Sequence, residues 1–328
     1  MSPITIPDYT ELTAEHASDW HKAAFDWLLN FNSQNTRKNY LRALNRFFAF
    51  CPTGPEAVTQ SDVLRYRHHL EQSGYDLTTI NLRLAGLSSF YKFAVERGLR
   101  GDNPCDGVKR KAINPYGKAT FLDGQRGQDI DLLNSVDRKT EKGKRDYAIL
   151  LLLLTTAVRV DAVASLKLSD FRVQGHDVYM QYTNKGGEIV EKRLQPVVVR
   201  ALNDYFDTRQ EVSDDSPLFA LTTRGKRGTL NLFAQSDIAP STERPLSATG
   251  IERVVRHYAD KAFGPGHGIT PHSLRHTAAM NAVMGGASVI EVARLLRHKS
   301  LRVTTVYIQH ISDKADDSIS EKLGKRYE

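Results

Sequence analysis

Along the first hundred residues, apolar positions recur every three or four places, the period of a helix that buries one face. The stretch ASDWHKAAFDWLLNF predicts a first helix. In NTRKNYLRALNRFFAFC, the stripe is Tyr40, Leu44, Phe47, Phe48 and Cys51, with Arg37, Lys38, Arg42 and Arg46 off it. Asn35 and Thr36 offer N-cap chemistry there. SDVLRYRHHLEQSG predicts a third helix that stops at Gly74. LTTINLRLAGLSSFYKFAVERG predicts a fourth, with Ile80, Leu84, Leu87, Tyr91 and Ala94 inward and Gly98 as its stop; glycine suits the left-handed residue that ends a helix. These four helices define an N-terminal helical module, residues 1–104. The next stretch changes composition: prolines, glycines and a run of Lys and Arg mark residues 105–118 as a basic linker.

Residues 119–328 follow a different pattern. YAILLLLLTTAV is apolar all round, as a buried helix is, and is too short to span a bilayer. A polar break at Thr155 and Thr156 precedes another helix. DVYMQYTN and EIVEKRLQP alternate, with KGG between them, which predicts a β-hairpin with a glycine turn; FRVQGH is a candidate third strand. VVVRALNDYF and SATGIERVVRHYADKAFG return to the helical period, the latter through Ile251, Val254, Val255, Tyr258 and Ala262. The region LTTRGKRGTLNLFAQSDIAPSTERP has no period and reads as a long loop. Ser288 and Glu291 form a capping box for VIEVARLL, Ser300 is placed to cap the helix after it, and Ile319 and Leu323 give the tail a small apolar stripe. The fold class expected is mainly α with a small antiparallel β-sheet: a helical domain followed by an α+β domain.

Composition narrows the function. The chain has 328 residues, 40% hydrophobic and 25% charged, in the range of globular proteins. A net charge of +7 favours an anionic partner. The positive charge is spread through helices and loops, as in NTRKNYLRALNR, GVKRKAINPYGK and TTRGKRG, which suits a folded surface tracking a phosphate backbone. The N-terminus carries acidic residues and no apolar core, unlike a signal peptide. The two cysteines, Cys51 and Cys105, have neither metal nor redox spacing and read as reduced thiols. No Walker A stretch, carboxylate cluster or zinc spacing is present, so no metal or other cofactor is expected.

Five places in the second half set a cation or proton carrier beside small or apolar residues: Arg159 in TTAVRVDAVASLKL, Lys185 in the turn NKGGE, His272 with Arg275 in TPHSLRHTAA, His298 in LLRHKS and Tyr307 in TTVYIQH. Each has an ordinary explanation: an arginine pairing with Asp161, a solvated turn lysine, a histidine on backbone, a core tyrosine. His272 and Arg275 leave from one helix face, and a buried face accepts that pair only opposite an anion. His276 is expected to point to the other side. His68 and His69 lie on a basic helix; His257, His267 and His310 suggest no partner.

Taken in order, the set resembles the tyrosine recombinase, or phage integrase, family. That family has an arginine after a buried helix, a lysine in a hairpin turn, His-x-x-Arg, a His or Trp after two leucines, and a tyrosine nucleophile about nine residues on. The matching residues are Arg159, Lys185, His272, Arg275, His298 and Tyr307. The resemblance covers almost the whole chain and implies a core-binding, DNA-binding domain over 1–104 and a catalytic domain over 119–328. It departs at two places: the family usually has glycine where Ala157 and Arg297 stand. The reaction it implies is cleavage of DNA through a 3′-phosphotyrosine and resealing by a 5′-hydroxyl. Two guanidiniums suit the extra negative charge of the transition state. His272 takes or relays the phenol proton, Lys185 protonates the leaving oxygen, and His298 bonds the phosphate. The partners implied are double-stranded DNA with a specific target site and a homo-tetramer on paired sites, in the cytoplasm at the nucleoid, with no membrane. The short stretch before the first helix fits the simple two-domain form. Candidate DNA contacts are Arg37, Lys38, Arg42, Arg83, Lys109, Arg110, Lys111 and Arg297. Two other activities fit the residues: a type IB topoisomerase-like cleaving and rejoining enzyme, and a catalytically silent DNA-binding protein on the same fold.

Overall fold

The computed structural model describes residues 19–112, 120–184, 187–209, 212–221, 243–298, 301 and 304. The chain divides into two compact units, residues 1–115 and 116–328.

In the first unit, α1 (Asp19–Leu29), α2 (Gln34–Phe50), α3 (Gln60–Gln72) and α4 (Leu77–Glu96) enclose one core. Its centre is aromatic: Trp27, Phe47, Phe48, Tyr66, Phe90 and Tyr91 are buried. Trp27 stacks on Tyr40 at 5.4 Å, and its indole N–H donates to Ser89 Oγ at 3.1 Å, so the one polar atom of a buried ring is satisfied. The close approach of α2 and α4 needs Gly86, where a Cβ would stand 3.1 Å from the Tyr40 ring. The expected stripe of α2 is the one that packs, but its N-cap lies elsewhere. Ser33 accepts from Thr36 N–H, and Asn35 and Thr36 sit inside the first turn. Helix α3 starts with a capping box of Thr59 and Asp62. Part of the basic stretch after α4 is held on this unit: Arg67 donates to Lys109 O at 3.0 Å, Asn81 donates to Lys111 O at 2.9 Å, and Lys111 pairs with Glu71 at 3.0 Å.

The second unit is built round α6 (Glu141–Thr156), whose Ala148, Ile149, Leu150 and Leu152 have no exposed surface. The short α5 (Gln128–Asn134) precedes it, and α7 (Val160–Ser165) follows a tight break. Strands β1 (Phe171–Gln174), β2 (Asp177–Thr183) and β3 (Ile189–Arg193) form an antiparallel sheet in that order. Alternation along β2 buries Val178, Met180 and Tyr182, and its register sets Met180 opposite Lys192. Helices α8 (Pro196–Phe206), α9 (Ala248–Phe263), α10 (Pro271–Met284) and α11 (Val289–Leu296) complete the described unit. The Ser288–Glu291 capping box of α11 is present. Asp146 of α6 is fully buried; it accepts from Arg145 Nε at 2.9 Å, Lys142 Nζ at 2.8 Å and the Tyr258 hydroxyl at 3.1 Å, so a buried carboxylate has its hydrogen-bond partners. Most of the unpatterned loop and the C-terminal tail lie outside the described residues. Among the described residues, no helix is long and apolar enough to cross a membrane.

Candidate active site

Two helices of the second unit end the same way. Helix α6 stops at Ala157, φ 53°, and α11 at Arg297, φ 50°. They are the positive-φ residues other than glycine among those described. The left-handed region costs a side-chain-bearing residue energy that glycine does not spend. The two positions where the chain departs from the glycine of its look-alikes therefore keep the left-handed turn. Ala157 is buried and Arg297 exposed.

Arg275 joins these two ends. It lies on α10, 5% exposed, and its two terminal nitrogens donate to Ala157 O and Leu296 O. A helix C-terminus leaves carbonyls without partners and carries partial negative charge, so a buried guanidinium is held there. Arg159, half-buried, leads into α7, and its NH1 donates to Asn184 Oδ1 at 2.6 Å. It does not pair with Asp161, which faces solvent. Asn184 also closes the hairpin, donating its N–H to Glu188 O at 2.7 Å and accepting from Gly187 N–H at 3.0 Å. Lys185, next in sequence, lies outside the described residues.

The histidines gather around the arginines. His272 opens to solvent on one side; burial, then Arg275 and Arg159, holds its pKa below the ordinary value. His298 is lowered to about 4 by burial, Arg275, Arg159 and His272. Both rings are therefore neutral near pH 7, as a proton acceptor must be. His298 Nδ1 lies 3.0 Å from the hydroxyl of Thr304, a buried residue three before Tyr307 in sequence. When that hydroxyl donates, the ring proton sits on Nε2. Tyr307 itself lies outside the described residues.

His276 corrects an expectation. It does not point away from His272: the ring centroids are 4.3 Å apart and His276 is 3% exposed. Four residues apart on a helix is one face. Burial, His272, Arg275 and His298 push it to about 4. His267, for which the sequence suggested no partner, bonds Asp260 at 3.1 Å and accepts from Ile269 N–H at 2.8 Å.

The structure thus brings Arg159, His272, Arg275 and His298 into one electrostatic neighbourhood. Sequence reasoning missed Asn184, Lys192, His276 and Thr304. The candidate DNA contacts divide. Lys38, Arg42, Lys109, Arg110 and Arg297 are exposed. Lys111 is exposed and paired with Glu71. Arg37 caps α1, donating from Nε to Phe31 O at 2.6 Å and from NH2 to Leu29 O at 3.4 Å. Arg83 lies 3.9 Å over the Tyr75 ring.

Comparison with known proteins shows the family and the fold. Residues 126–314 match the phage integrase family, and residues 28–98 match the phage integrase N-terminal SAM-like domain. The chain belongs to the phage integrase family. It is similar to the tyrosine recombinase XerC of Pelobacter propionicus, 29% identical over 85% of this chain and 86% of the relative. It is also similar to the tyrosine recombinase XerD of Rhizobium meliloti, 27% identical over 87% and 88%. Its fold is that of a lambda integrase dimer bound to a COC′ core site, TM-score 0.65 at 15% identity over 88% of this chain and 76% of that one. XerH site-specific recombinase bound to palindromic difH substrate has it too, TM-score 0.64 at 14% identity over 95% and 92%.

Proposed function

We propose that the protein is a site-specific DNA recombinase whose nucleophile is Tyr307. The observation that supports the reading is Arg275 bridging the turns that end α6 and α11, with Arg159, His272 and His298 in its electrostatic neighbourhood. The Tyr307 oxygen attacks phosphorus, the bond to the 5′-oxygen breaks, and a 3′-phosphotyrosine forms. His272, neutral near pH 7, receives the phenol proton, directly or by relay. Lys185, next after Asn184 in sequence, gives a proton to the leaving 5′-oxygen. Arg159 and Arg275 neutralise charge that builds on the nonbridging oxygens, and His298 donates to the same phosphate. The bond energy is kept in the phosphotyrosine, so a second 5′-hydroxyl reseals the strand with no external energy source.

Residues 1–104 act as the core-binding domain, 105–118 as the linker and 119–328 as the catalytic domain, closing on duplex DNA. Strand exchange takes place in a homo-tetramer on paired sites, in the cytoplasm where the DNA is. The test starts by selecting a bound site from a random duplex pool. Two copies are then placed on a supercoiled plasmid. Exchange between the copies is the expected result. Relaxation without exchange would instead make the protein topoisomerase-like, and binding without cleavage would make it catalytically silent.

A further inference from the structure

Lys192, on β3, has no part in the scheme above. It is half-buried, and its ammonium donates to Thr156 O and, at 3.5 Å, to Leu295 O. Those carbonyls belong to the residues immediately before Ala157 and Leu296, the two that Arg275 holds. Two cations from different elements, α10 and β3, thus bridge the same two chain ends at consecutive carbonyls. Each end is a left-handed turn at a residue other than glycine, so neither turn is held by backbone preference alone. A lysine stem gains nothing by burying its charge unless the charge is used. Burial, helped by Arg275 and Arg297, pushes this amine down to about 8.

We infer that Lys192 is a positioning residue for Arg275, fixing the separation of the α6 and α11 ends so that the guanidinium meets the scissile phosphate in one orientation. The inference rests on the recombinase reading. In this role Lys192 acts through the two chain ends it holds, at Thr156 O and Leu295 O, and not on the substrate. Misplacing a catalytic group by an ångström costs about 10²-fold, so a loosened Arg275 has a large kinetic signature and a small one in binding.

The experiment uses full-length protein and a nicked suicide duplex of the selected site, with single-turnover cleavage measured at saturating protein. K192M keeps the stem volume and removes the donors; K192R keeps charge and donors. Expected are a loss of about 10- to 100-fold in cleavage for K192M, unchanged DNA affinity, a lower melting temperature because Thr156 O and Leu295 O lose a donor, and partial recovery in K192R. A second substrate with sulfur in place of the bridging 5′-oxygen needs little protonation on leaving. It should leave K192M as slow relative to wild type as before. Rescue by sulfur would make Lys192 the general acid and overturn the inference. So would wild-type cleavage by K192M, a K192R no faster than K192M, or parallel losses of rate, affinity and melting temperature. Absence of any covalent complex with wild-type protein would overturn the functional reading itself, which separates the two failures.

Discussion

The two units treat positive charge in opposite ways. In the first, the buried polar or charged residue among those described is Asp62, which caps a helix. The core is aromatic, and the exposed cations Lys38 and Arg42 stand on the outer face of α2. In the second, Arg145, Arg209 and Arg275 are all buried, tied to carboxylates and to backbone carbonyls. An exposed lysine or arginine is hydrated and movable, good for following a backbone whatever its sequence. A buried guanidinium is costly to place and difficult to move, and transition-state stabilisation asks for that immobility. On the proposed reading, the first unit holds DNA and the second acts on it.

The largest effects should separate Arg159 from Arg275. Alanine at either should slow cleavage by ~10²–10³, roughly 3–4 kcal/mol. Arg275→Ala should also destabilise the fold, because Ala157 O and Leu296 O lose their donor, at about 1–3 kcal/mol for each group left unsatisfied. Arg159→Ala, half-buried and bound to one side-chain oxygen, should leave the melting temperature almost unchanged. Equal melting temperatures for the two variants would erase the distinction between buried clamp and poised cation.

Next comes pH. His276 titrates near 4 in the folded protein and about 6.5 unfolded. Between those values the unfolded chain binds the extra proton, so stability is full above pH 6.5 and falls as pH drops toward 4, by on the order of 3 kcal/mol. His276→Asn should make the fall of the urea midpoint across that window shallower, leaving the share that His298 and His272 carry. An unchanged slope would mean another group sets it.

Smaller effects are expected in the first unit. Alanine at Lys38 or Arg42 should lower the slope of log affinity against log salt by about 0.9 if each meets one phosphate, with cleavage at saturating protein unaltered. A change in cleavage rate would mean that the division of labour is wrong.

The smallest prediction concerns the α11 turn. Arg297→Gly should stabilise the protein by about 0.5–1 kcal/mol. Relief of left-handed strain, about 1–2 kcal/mol, exceeds the entropy that glycine adds to the unfolded chain, about 0.4–1 kcal/mol. The same change should weaken DNA binding, since the exposed cation is lost. Calorimetry and a salt titration read the two signs.

Much of this was legible in advance because it is local. The α6 apolar run, the hairpin alternation, the Ser288 capping box and the His272–Arg275 spacing each lie within one helix or turn. What was missed depends on distant segments meeting. Lys192 reads as an ordinary polar strand position until β3 is laid against the ends of α6 and α11. Asn184 looks like a turn residue until Arg159 reaches it, and Thr304 like a helix residue until His298 does. The seven-residue α5 carried too few turns to show a period. At the start of α2 neighbouring caps compete, and Ser33, two residues before Asn35, takes the Thr36 N–H. His276 could have been placed from sequence, because four residues from His272 is the same helix face.

The central claim is that this site forms a covalent bond to DNA through one tyrosine. The direct measurement is peptide mapping of protein trapped on the nicked suicide duplex, with Tyr307→Phe run alongside. The account predicts a DNA 3′-phosphate attached to Tyr307 in the wild-type protein, and a variant that binds the duplex but yields no adduct. An adduct on another residue, or one formed by Tyr307→Phe at the wild-type rate, would contradict it.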